Sequence, residues 1–193
     1  KLALLKSYPN RLLPSFDALT RNSKLINAAT SVLGPDLMVW SAALFIKEKN
    51  SEKIVSWHQD LTYWQLNDIK EVTCWLAVSS ARKEAGCMKF IPGSHKNKIV
   101  PHNDTFDENN MLSRGQEISV EVDENKAIHT ELDPGQASFH HGLLFLPIIP
   151  PSSPEFLKIN PILAQSSALF KLFTLGFPTP RYCSGLSIIS CSS

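Results

Sequence analysis

Helical periodicity occupies only the first 33 residues of this chain. From Leu37 onward the sequence breaks into short runs of strand character with no helical segment between them. In the first part Leu12, Leu13, Phe16 and Leu19 recur at helical spacing, and Leu25, Ile26, Ala29, Val32 and Leu33 repeat the pattern. Ser15 or Asp17 is placed to cap the first helix and Ser23 the second, and Gly34-Pro35 stops the second. The apolar run 38–46 is long enough to be buried on both faces. Strand-like runs follow at 54–57, 72–78, 86–91, 118–122, 127–132 and 137–145, with a polar, irregular stretch at 96–117. Helices followed by many strands without helical crossovers predict a mainly β protein with N-terminal helices, a double-sheet barrel of the jelly-roll kind. At 193 residues the chain suffices for one sizeable core.

Within that frame the stretch that points to chemistry is Ser56-Trp57-His58-Gln59-Asp60-Leu61-Thr62-Tyr63-Trp64. His58 and Asp60 stand two residues apart, and in an extended segment residues i and i+2 point to one side. An imidazole and a carboxylate facing a common point make two-thirds of the 2-His-1-carboxylate triad that holds non-heme Fe(II). The bland alternative for so short a motif is a surface loop with a solvated Asp and a partly buried His. The aromatic surroundings, Trp57, Tyr63 and Trp64, favour the metal reading, because a dry shell controls solvent access to a bound metal.

The net charge is +1 and no basic run occurs, so nucleic-acid or membrane-surface binding has no support. No apolar run reaches the roughly 18 residues that span a bilayer, and residues 1–5 do not form a signal peptide. The chain opens on Lys1 rather than Met, as a fragment or a processed chain would. The four cysteines, Cys74, Cys87, Cys183 and Cys191, contain no Cys-x-x-Cys. A structural zinc site is therefore not expected, and Cys74 and Cys87 read as buried thiols of a cytoplasmic protein.

Several motifs in order resemble the phytanoyl-CoA dioxygenase family of Fe(II)/2-oxoglutarate oxygenases, over about residues 13–145. They are Phe45-Ile46-Lys47-Glu48, the run from Trp57 to Trp64, Val72-Thr73-Cys74-Trp75-Leu76-Ala77 and Gly86-Cys87-Met88. Ile91-Pro92-Gly93-Ser94-His95-Lys96, Leu112-Ser113-Arg114-Gly115-Gln116 and Pro134-Gly135-Gln136-Ala137-Ser138-Phe139-His140-His141 complete the set. The resemblance implies a double-stranded β-helix (jelly-roll, cupin-like) over residues 1–145. It also implies oxidative decarboxylation of 2-oxoglutarate to succinate, coupled to hydroxylation of a small organic substrate by molecular oxygen. His58 and Asp60 correspond to the first two Fe(II) ligands, and Trp75, Leu44 and the backbone of Gln59 to the co-substrate pocket.

The pattern then breaks. Leu146 stands where the resemblance places the distal iron-binding histidine, and Phe156 and Leu157 stand near the expected Arg, with Lys158 the nearest cation. Residues 146–193 form an atypical Pro/Ser-rich tail holding seven of the thirteen prolines, and those at 147, 150, 151 and 154 argue against central strands. Three readings stand side by side. The tail is an out-of-frame or mis-spliced segment; or the chain is a homologue that has lost its distal ligand; or the site is rebuilt, with His140 or His141 as the second imidazole and Lys158 as the carboxylate anchor. An active oxygenase and a non-catalytic binding module are the corresponding functions. Elsewhere His95 reads as a turn residue, His102 as part of a solvated loop or a lid, Arg114 as a surface ion-pair partner and His129 as a solvent-facing strand residue.

Overall fold

The computed structural model describes residues 6–47, 52–64, 66, 70–148, 167–176 and 187–190. Among these residues the helices α1 (Pro9–Leu12), α2 (Pro14–Thr20) and α3 (Ser23–Leu33) precede the strands. Leu13, not Ser15 or Asp17, is the N-cap of α2, and Pro14 supplies a pre-set φ at its first position. Asn22 rather than Ser23 caps α3, its side chain accepting from the N–H groups of Lys24 and Leu25. Gly34, at φ 97°, ends α3.

Eleven strands follow: β1 (Leu37–Lys47), β2 (Val55–His58), β3 (Glu71–Ala77), β4 (Met88–Phe90), β5 (His102–Asp104), β6 (Gln116–Ile118), β7 (Ile128–Thr130), β8 (Gln136–His140), β9 (Leu146–Ile148), β10 (Ser167–Gly176) and β11 (Ser187–Ser190). They form a five-stranded sheet in the order β1-β10-β3-β8-β11, a four-stranded sheet β2-β9-β4-β7, and a ribbon β5-β6. Every pairing between these strands is antiparallel.

The two faces of the larger sheet carry separate cores. Leu25, Ala28 and Ala29 of α3 pack on Ala42, Val72, Cys74, Leu76, Ala137 and Phe139. The other face carries Trp75 and Ala77, which meet Val55, Met88, Phe90, Leu146 and Ile148 of the smaller sheet. Strand β3 is therefore buried along its whole length, which explains a continuous apolar run rather than alternation. The architecture is the expected double-sheet jelly roll.

The tail differs from the sequence expectation. Its described parts supply β9, β10 and β11, and β10 is inserted between β1 and β3. The physical reason is local: 167–176 is a proline-free, largely apolar run between Pro161 and Pro178, and 187–190 follows the last proline, Pro180. Pro147 does sit in a strand, between Leu146, which pairs with His58, and Ile148, which pairs with Val55. Phe156, Leu157, Lys158, Cys183 and Cys191 lie outside the described residues. The stretch 96–117 is likewise less irregular than expected, since β5 pairs with β6, His102 opposite Ile118.

Candidate metal centre

His58 ends β2, Gln59 continues it with extended backbone (φ −117°, ψ 127°), and Asp60 opens the short 3-10 turn Asp60–Tyr63. The alternation expected of an extended segment thus carries both side chains inward, and both are buried. His58 Nε2 lies 3.2 Å from Asp60 Oδ1. On the other side of the ring, His58 Nδ1 is 2.9 Å from the carbonyl oxygen of Ser56. A carbonyl only accepts, so Nδ1 carries the hydrogen and the neutral ring turns the Nε2 lone pair toward the carboxylate. Two acceptors face each other there, an arrangement satisfied by a second ring proton or by a cation between them. This is the donor set of a metal-ligating His-Asp pair, with the tautomer fixed by a backbone carbonyl.

The second carboxylate oxygen is also engaged. Asp60 Oδ2 accepts from Thr73 Oγ1 at 3.3 Å, and His140 Nε2 stands 3.5 Å away. Thr73 on β3 pairs with His140 on β8, so both project from one cross-strand pair toward Asp60. The His140 ring packs at a tilt against Phe90, with centroids 4.8 Å apart. Tyr63 meets the His58 ring edge-on at 5.9 Å. Burial, and after it the Asp60 charge, raises the Tyr63 pKa, keeping the phenol protonated.

Leu146 faces the same interior from the neighbouring strand. It is the residue of β9 paired directly with His58, and it is 1% exposed among Val55, Met88 and Ile148. Between the Val55–Ile148 and His58–Leu146 pairs, β2 has one more residue than β9, a bulge of the kind that re-aims side chains beside functional sites. The position that the resemblance assigns to the distal ligand is thus paired with His58, and it holds an aliphatic side chain. Among the described residues no three His, Cys, Asp or Glu side chains are grouped so as to hold a metal ion. His58 and Asp60 fit the first two ligands of an iron site, and among the described residues no third joins them.

The remaining sequence candidates divide. Trp75 is buried in the interior and packs on Phe45 at 5.1 Å, in keeping with a pocket wall. Leu44 is a correction: it shares a strand face with Ala42, which packs toward α3, and alternation gives the interior position to Phe45. Gln59, expected to meet the co-substrate through its backbone, donates its backbone N–H to His102 Nε2 at 3.1 Å. His141 lies just beyond the end of β8. Its Nδ1 accepts from the Leu143 N–H at 3.0 Å and stands 3.6 Å from Glu71 Oε1. His95 sits in the turn Ser94–Lys96 with its ring 6.2 Å from that of His141. Arg114 pairs with Asp104 at 3.6 Å, and His129 Nδ1 lies 3.7 Å from Cys87 Sγ.

His102 and Glu71 were not legible as site residues. Burial lowers the His102 pKa, opposed by a bond from its ring to Val100 O and assisted by His58. Glu71, buried at the start of β3, accepts from the Gly142 N–H. Gly142 has no room for a side chain, since a Cβ would fall 2.6 Å from Glu71 Oε1 and 3.0 Å from Leu61 Cγ. No spacing rule links residues 43 or 71 positions apart, so only the fold brings them to the turn. No helix among the described residues is long and apolar enough to cross a membrane.

Known proteins are similar to this chain in sequence and in fold. Human peroxisomal phytanoyl-CoA dioxygenase is 31% identical over 116 residues, which is 58% of this chain and 34% of that protein. The apo structure of the non-heme monooxygenase ThoJ superposes with a TM-score of 0.70 at 27% identity, covering 92% of this chain and 62% of that one. EvdO2 from Micromonospora carbonacea var. aurantiaca, complexed with 2-oxoglutarate, superposes with a TM-score of 0.69 at 20% identity, over 92% of this chain and 69% of that one. The chain spans between 34% and 47% of the length of the first relatives it matches. Residues 8–145 match the phytanoyl-CoA dioxygenase family as a whole. With the His-x-Asp pair set inside a double-sheet jelly roll and a family match over most of its length, the chain belongs to the phytanoyl-CoA dioxygenase family.

Proposed function

We propose that this fold serves Fe(II)- and 2-oxoglutarate-dependent oxidation of a small organic molecule by molecular oxygen, and that the metal centre of this chain is reduced to two protein ligands, His58 and Asp60. The first half is supported by the family, by the inward-facing Nε2 and carboxylate, and by the apolar wall of Trp75 and Phe45, which would keep water from a reactive centre. The second half rests on one observation, the buried Leu146 paired with His58. A thioether or aliphatic group offers iron no hard donor, whereas imidazole and carboxylate do. The expected behaviour is weak metal binding and no coupled turnover.

The test is a titration with Co(II) as a spectroscopic stand-in for Fe(II), beside an assay of Fe(II)-dependent succinate formation from 2-oxoglutarate. Both use the whole chain and its Asp60→Ala variant. Weak Co(II) binding that vanishes in the variant, with succinate at the variant's background, is the expected result. Asp60-dependent succinate formation would sink the incomplete-centre reading, and binding indifferent to Asp60→Ala would sink the ligand assignment. His140, 3.5 Å from Asp60 Oδ2, favours a second reading in which its ring moves to complete a rebuilt centre. Loss of Co(II) binding in His140→Phe would mark that case.

A further inference from the structure

The turn that presents His58 and Asp60 is tied down from outside its own strand. Gln59, between them, is fully buried, and every hydrogen-bonding atom of its side chain has a partner. Its Oε1 accepts from the Val100 N–H at 2.8 Å. Its Nε2 donates to Leu143 O at 2.9 Å and to Lys98 O at 3.4 Å. In the reverse direction His102 Nε2 receives the backbone N–H of Gln59 at 3.1 Å, and His102 Nδ1 lies 2.8 Å from Val100 O.

One tautomer satisfies the Gln59 and Val100 contacts of His102, and the Thr62 hydroxyl, 3.4 Å from each ring nitrogen, can turn to suit it. The Val100 carbonyl can only accept, so the hydrogen sits on Nδ1; Nε2 is then a lone pair, which is what a donated amide requires. Side chain 59 holds backbone 98–100, and side chain 102 holds backbone 59. The two bonds are reciprocal in the manner of a capping box, though formed between segments 43 residues apart in sequence.

We infer that His102 is a positioning residue: as the Nδ1–H tautomer it accepts the Gln59 amide and fixes the peptide that aims His58 and Asp60 at a common point. Its meaning for a metal rests on the function proposed above, but the hydrogen bond can be read without any metal. Substitution of residues that orient ligands costs roughly 10–100-fold in metal affinity. His102 acts one bond further out, through the peptide between two ligands, so the low end of that range is expected.

The experiment uses the full chain labelled with 15N, together with His102→Leu and His102→Gln. Glutamine is the conservative variant, since its Oε1 reaches the place of Nε2 as an acceptor. Long-range 1H–15N spectra report the tautomer, and a scalar coupling between the Gln59 amide nitrogen and His102 Nε2 reports the bond directly. Amide exchange at Gln59 is expected to quicken about tenfold in His102→Leu, the factor for a lost hydrogen bond, and to return toward the parent rate in His102→Gln. Exchange elsewhere in β3 and β8 stays as in the parent, which separates a local tie from general loosening. Co(II) affinity is expected to fall about tenfold in His102→Leu and to recover in His102→Gln. An Nε2–H tautomer, or Gln59 exchange unchanged in His102→Leu, would overturn the inference. Absence of Co(II) binding by the parent chain would overturn the metal reading alone and leave the exchange data to decide this one.

Discussion

Leu146→His places an imidazole across the ladder from His58, where the family position calls for one, so metal affinity and stability should move in opposite directions. The core around residue 146 consists of Val55, Met88, Leu144 and Ile148. Exchanging a leucine that is 1% exposed for a polar ring forfeits apolar burial and leaves a ring nitrogen without a partner. Together these cost roughly 2–4 kcal/mol in the metal-free protein. For a chain of this size that lowers Tm by roughly 4–16 °C. A divalent ion then gives stability back, about 2.7 kcal/mol at a free concentration a hundred times Kd. The assay is differential scanning fluorimetry over a Co(II) series, with Leu146→Gln as control, since it carries similar polarity without a good nitrogen ligand. The expected result is a low Tm for both metal-free variants, with Co(II) rescuing only the histidine variant and binding it at least about tenfold more tightly than the parent, or 1.4 kcal/mol. Equal Co(II) rescue of the two variants would refute the placement of residue 146 at the third coordination position.

Other expectations bear on the surroundings of the pair. Gly142→Ala drives a Cβ against Glu71 and Leu61, and a loss of about 1–3 kcal/mol is expected in urea melts; a loss below half a kcal/mol would mean that the neighbours give way freely. Lys47 is 4% exposed and burial lowers its pKa to about 8 from 10.5. Its folded pKa lies below the unfolded one, so the unfolded chain binds more protons between these values. Stability contributed by this residue therefore rises with pH from about 8 to 10.5 and is lowest below that window. Lys47→Met removes the effect, on the order of 3 kcal/mol at pH 7, and urea melts of both chains at pH 7 and pH 9.5 should converge as pH rises. A constant difference would contradict the assignment to Lys47. The Cys87 thiol is raised to about 12, first by burial and then by Glu131, so thiol reagents at pH 8 should leave it unmodified until the chain unfolds.

His58 and Asp60 were readable because their relation is local, two residues along an extended backbone. Trp75 and the buried β3 were readable because an apolar run without turn residues has few other destinations. Leu44 was implied by the resemblance alone; alternation along β1 puts it on the face that Ala42 turns to α3 and puts Phe45 inside. Proline content over the 48 residues of the tail says little about any one part of it, because a strand needs only a proline-free window, and 167–176 is one. His102, Glu71 and His140 reach the site through sheet pairing and a ribbon; contacts of that sort leave no periodic trace in the chain. Polar character at 96–117 suggested solvent, yet part of it was the complement of a buried glutamine.

That polar segment is fastened at two places. Lys98, Val100 and His102 hold Gln59, while Ile54 of the strand leading to His58 exchanges backbone bonds with Asn109 and Met111, and Asn110 Nδ2 donates to Ser56 Oγ at 3.0 Å. A flap anchored along only one margin can swing; one sewn along both must come unstitched. Opening of this segment would therefore follow the steep temperature dependence of local unfolding, not the shallow one of a hinge. Warming would loosen it out of proportion to any gain in simple thermal motion.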